Sequence, residues 1–148
     1  MELRTCATFQ SSRFNTTEPR EYFLNPGCFG DDCAQWLVAL LRTAGVPGVA
    51  EPWQEDWGWQ TRAELESTRV LISIGLVPAD PPHWLLMLDE ERSLRARLFG
   101  RAHPQVVVRL AEAIHRGLAA EQTTRALRWY TKADWDAGRL DQGVATPR

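Results

Sequence analysis

Long apolar runs are missing from this chain. Its longest, Val70 to Val77 and Trp84 to Leu88, fall far short of the roughly 20 residues needed to cross a bilayer, and Ser73 and Gly75 interrupt the first. The opening Met1-Glu2-Leu3-Arg4-Thr5 lacks the cationic end and apolar middle of a signal peptide. Cysteine is scarce: Cys6, Cys28 and Cys33 form an odd set without a Cys-x-x-Cys pair. That fits reduced thiols in a cytoplasmic protein better than a disulfide framework or a zinc site. Charge of one sign is also missing. Seventeen Lys and Arg stand against nineteen Asp and Glu, a formal charge of −2, with no long like-charge run. A nonspecific nucleic-acid binder needs excess cation to replace phosphate counterions, and a polybasic membrane contact needs the same, so neither partner is expected.

Catalytic signatures are equally sparse. There is no Gly-x-Ser-x-Gly elbow, and the only histidines are His83, His103 and His115. Cys33 near a helix start would gain thiolate character, but Asp31 and Asp32 oppose it and its place on an apolar stripe favours a buried structural thiol. Gly27-Cys28-Phe29-Gly30 before a helix resembles a phosphate cradle only loosely, and the same two aspartates would repel phosphate. No catalytic residue, metal site or cofactor is nominated.

What is present suffices for a folded domain. The chain has 148 residues, 44% of them apolar and 24% charged. A globule of that size removes roughly two thirds of its unfolded surface from water. There are seven tryptophans, and Trp53, Trp57 and Trp59 fall within seven residues.

Residues 2 to 14 alternate loosely and predict a strand. Residues 15 to 30 are rich in turn formers and predict a loop tacked down by Tyr22, Phe23 and Phe29. A helix follows, capped by Asp31 or Asp32, with Cys33, Leu37, Leu40, Leu41 and Ala44 on one stripe and Gly45 at its end. Residues 53 to 65 alternate with period two and read as one strand, with a bulge at Gly58. Residues 69 to 77 and 83 to 89 predict central strands. A short helix within 90 to 103 carries Leu94, Leu98 and Phe99, and Pro104 opens a second long helix. Arg125 to Thr131 is a last strand. The order is β-α-β-β-β-α-β, an α+β domain over 1–136: a mainly antiparallel sheet of four to five strands with two long helices on one face, a ferredoxin-like variant. Residues 137–148 are polar, with Gly and Pro, and predict a flexible C-terminal tail.

The segment Pro52 to Trp59 carries the most information. On a regular strand Glu55 shares a face with Trp53, Trp57 and Trp59. A carboxylate among indoles is costly to bury unpaired. One reading is an acidic, aromatic-walled pocket for a cationic or aromatic ligand, or an acid of raised pKa. The simpler reading leaves the tryptophans in the core and Glu55 bonded at a sheet edge, with Asp56 solvated. Asp31 and Asp32 would join Glu55 only if the fold closed the 23-residue separation.

The run Asn25-Pro26-Gly27-Cys28-Phe29-Gly30-Asp31-Asp32, a helix containing Trp36-Leu37, and then Glu51-Pro52-Trp53-Gln54-Glu55-Asp56-Trp57-Gly58-Trp59 resembles a group of small uncharacterised bacterial proteins. The similarity covers roughly residues 14 to 89 and, more weakly, the remainder. It implies a bacterial origin and a compact single domain, and it transfers no activity. The expectation is a non-enzymatic binding module for a protein, either a second copy in a homodimer or a toxin-like partner. Its contact residues would be Trp53, Glu55, Asp56, Trp57 and Trp59, with Asp31 and Asp32. The alternative is a small-molecule pocket around Trp53, Glu55, Trp57 and Trp59.

Overall fold

Seven strands make a single sheet in the computed structural model, which describes residues 2–148. The strands are β1 (Arg4–Ser11), β2 (Gly48–Val49), β3 (Trp53–Glu55), β4 (Gly58–Leu65), β5 (Thr68–Val77), β6 (His83–Glu90) and β7 (Thr124–Thr131). Every pairing is antiparallel, in the order β2-β4-β5-β6-β1-β7, with β3 also paired to β4. Four helices accompany it: α1 (Asp31–Thr43), α2 (Leu94–Phe99), α3 (Pro104–Ala120) and α4 (Lys132–Asp136). The α+β class and the antiparallel sheet agree with the sequence. The ferredoxin-like layout of four to five strands is not matched in detail, because β2 is an additional strand and residues 53 to 65 divide into β3 and β4.

The largest correction concerns residues 53 to 65. They form a hairpin, not one strand: Asp56 and Trp57 make a two-residue turn, and Glu55 pairs with Gly58. Alternation in sequence runs through such a turn unbroken, but pairing of 55 with 58 puts those two side chains on one face. Parity therefore inverts, and Trp59, Thr61, Ala63 and Leu65 project opposite to Trp53 and Glu55. Gly58 is required here. A Cβ on it would sit 2.3 Å from the Ile74 carbonyl oxygen of the adjacent strand.

One face of the sheet is dry. Ala7, Phe9, Trp59, Ala63, Val70, Ile72, Ile74, Trp84, Leu86, Leu88 and Trp129 project from it into one core with Leu37 and Leu41 of α1 and Val107, Leu110, Ile114 and Leu118 of α3. Each fully buried Leu or Ile contributes roughly 1.5–3 kcal/mol relative to exposure. Pro104 at the first helical position suits α3 because its missing N–H would have no intrahelical partner. The opposite face has helical cover at one end only, where α4 folds back and Trp135 packs on Tyr130 with ring centroids 5.6 Å apart.

The segment 137–148, read from composition as a tail, lies along β7. Trp129 and Val144 exchange backbone hydrogen bonds of 2.8 and 3.0 Å, Pro147 is buried, and Arg148 pairs with Glu112. Helix α2 buries none of its residues and leaves Leu94, Leu98 and Phe99 in solvent.

Candidate functional site

The two sequence runs that stand out meet in space. The Asp56 carbonyl accepts from Cys28 Sγ at 2.9 Å and from Asn25 Nδ2 at 3.3 Å. Trp59 Nε1 donates to the Cys28 carbonyl at 2.9 Å, and the Leu24 N–H donates to Gln54 Oε1 at 2.8 Å. Around these bonds Tyr22, Phe23, Phe29 and Trp59 stack edge to face. Gly30, at φ 127°, lets the backbone run against Ile74, Trp84 and Trp59, where a Cβ would come within 3.3–3.4 Å. The loop is thus a clasp on the β3–β4 hairpin, and it holds the turn that presents Trp57.

Asp31 and Asp32 belong to that clasp. Neither caps α1 through its side chain in the expected way. Asp32 Oδ2 accepts from the Asn15 N–H at 2.8 Å, and Oδ1 from the N–H of Cys33. Asp31, 5% exposed, accepts from the Tyr22 hydroxyl, which raises the pKa of that phenol; its Oδ1 is buried without a protein partner. Both carboxylates still sit at the positive end of the helix. They do not gather with Glu55, and no group of three His, Cys, Asp or Glu with metal-binding geometry occurs among the described residues.

Trp53, Glu55 and Trp57 lie on the uncovered side of the sheet. Trp53 Nε1 donates to Glu55 Oε1 at 2.9 Å, which answers how a carboxylate is accommodated beside an indole. The guanidinium of Arg62 stands 5.5 Å from the Trp53 ring and also binds Glu91, whose pKa that contact lowers. Trp59 is buried on the other face, so the expected pocket of Trp53, Glu55, Trp57 and Trp59 does not form as one cavity. Asp56 is exposed at the turn and contributes its carbonyl to the clasp.

Trp57, 52% exposed, instead lines an open recess of about 260 Å³ with Ser73, Gly75, Leu85, Met87 and Asp89. These five residues of β5 and β6 escaped sequence reasoning. Continuous apolar character suggested burial on both faces, but Ser73, Gly75 and Asp89 mark the half that stays accessible.

The three thiols and His115 are shielded. Burial pushes the Cys6 thiol up to about 11, raises Cys28, and drives Cys33 well above the usual range. His115 of α3 is half-buried and accepts from Trp129 Nε1 at 3.2 Å; burial, with Arg116 beside it, lowers its pKa. Among the described residues no helix is long and apolar enough to cross a membrane. Comparison with protein-family models, with curated proteins and with solved structures gives no match.

Proposed function

We propose that this protein is a recognition module that binds another protein through the uncovered face of its sheet. One observation supports the reading above others: a seven-stranded sheet whose second face presents the half-buried Leu71, Val77, Leu85 and Met87, with the exposed Trp57 at their rim. Sheets with an apolar second face are completed by packing against another layer. Exposed tryptophan beside an apolar centre and a polar rim is the composition in which interfaces concentrate their energy. Arg62, Glu55, Asp56 and Asp89 supply that rim. The occupant is a second copy of this chain or a different protein such as a toxin-like one, and no reaction is required of the site.

The test is photo-crosslinking in the source cell, with a photoreactive residue placed at Leu71 on the uncovered face or at Gln35 on the outer surface of α1. A protein adduct of discrete mass is expected from position 71 and none from position 35. Its mass distinguishes self-association from a different partner. Adducts from neither position, or equally from both, reject the reading.

A further inference from the structure

A second recess, of about 240 Å³, opens on the same face, where β6, β1 and β7 meet the C-terminal segment. A bulge creates it. Thr8 pairs with Arg128, but Gln10 pairs with Arg125, so β7 carries one extra residue. Ala126 in this stretch takes φ 53°, a left-handed conformation that is strained for any residue with a Cβ, and it lines the recess. Strain of this kind collects at ligand sites.

The polar groups around the recess are unused. Arg128 and His83 form no ion pair or hydrogen bond with side chains among the described residues, and the Thr8 hydroxyl and Gln10 amide have no protein partner there either. Eight of the seventeen Arg and Lys side chains, from Arg13 to Arg148, are in ion pairs, and Arg128 is among those that are not. No carboxylate lines the recess. Its remaining wall is aromatic and aliphatic: Trp135 packed on Tyr130, with the exposed Leu140 at the mouth.

We propose that this recess binds a small organic carboxylate with a planar apolar body. The guanidinium of Arg128 and the ring of His83 face the carboxylate, Thr8 and Gln10 offer further donors, and Trp135 covers the body. An Arg fork suits a planar carboxylate, and water exclusion by the indole strengthens the pair. The site is separate from Trp57 and does not depend on the protein-binding reading.

Benzoate and phenylacetate are the probes, with benzamide and phenylacetamide as neutral counterparts. The readouts are tryptophan fluorescence and the indole N–H signals in proton–nitrogen correlation spectra. Saturable binding of the acids is expected to shift the Trp135 indole, with the amides weaker by about tenfold or more. Arg128→Gln, at an exposed position, is expected to weaken the acids by a similar factor while leaving the melting temperature unchanged. No saturable response from either acid overturns the proposal. So does equal affinity for acid and amide, or a shift confined to the Trp57 indole.

Discussion

The two faces of one sheet follow different rules in this protein. Under α1 and α3, alternate residues of β5 and β6 are entirely buried: Ile72, Ile74 and Leu86 have no exposed surface. One residue along each strand, Leu71, Ser73, Leu85 and Met87 are half-buried. The same backbone ladder supports both faces, so the difference lies in what each face is packed against. A covered face is held to volume and shape. An uncovered face is free to carry side chains that the fold itself does not need, and that is where Trp57, Asp89 and Arg128 sit.

Truncations on the two faces give the largest contrast. Trp84→Ala should cost about 3–5 kcal/mol and Ile72→Ala about 2–5 kcal/mol in denaturant unfolding, because each leaves a cavity in the core. Leu85→Ala and Met87→Ala, on the same strand as Trp84, should cost about 1 kcal/mol, since much of their surface is already wet. Equal losses on both faces would erase the distinction. A glycine pair sharpens it further. Gly58→Ala drives a methyl group into the Ile74 carbonyl and should cost about 1–3 kcal/mol. At Gly75 a Cβ meets nothing nearer than the Trp57 carbonyl oxygen at 3.8 Å, so Gly75→Ala should stay within about 0.5 kcal/mol of the parent while filling the recess beside Trp57.

Acidity should separate the faces by pH window. His115 sits behind the covered face, and burial holds its pKa below the ordinary 6.5, so the unfolded chain binds the proton more readily. Its contribution is complete above pH 6.5 and is lost as pH falls from there through the lower folded value. Glu91, on the Arg62 pair of the uncovered side, has its pKa lowered from 4.5, so its contribution fades only below that. Thermal unfolding across this range should show a first decline that His115→Gln removes and a second that it does not. The smallest effect concerns the thiols. All three are buried, so native protein at mildly alkaline pH should react with a thiol reagent only as fast as it opens.

Much of this architecture was legible in sequence. Helix α1 follows from apolar spacing and the start of α3 from Pro104, and the strands of 69–77 and 83–89 follow from continuous apolar runs. The hairpin at Asp56-Trp57 was not legible, because a two-residue turn preserves alternation while inverting which residues face the core. That single inversion moved Trp59 away from Glu55 and dissolved the expected pocket. Residues 137–148 lie along β7 through the backbone bonds between Trp129 and Val144, which composition does not record. The site itself was half legible. Trp53, Glu55 and Trp57 do share the uncovered face, but their neighbours Ser73, Gly75, Leu85, Met87 and Asp89 come from strands whose partners only the fold defines.

The account rests on the separation of recognition from stability at Trp57, and one substitution addresses both. Trp57→Ala should be made in the chain carrying the photoreactive residue at Leu71, and its unfolding free energy and adduct yield measured side by side. A stability within about 0.5 kcal/mol of the parent, with the adduct lost, is the predicted result. A large loss of stability with the adduct retained would contradict it, showing Trp57 to be a structural residue and not a contact on which recognition depends.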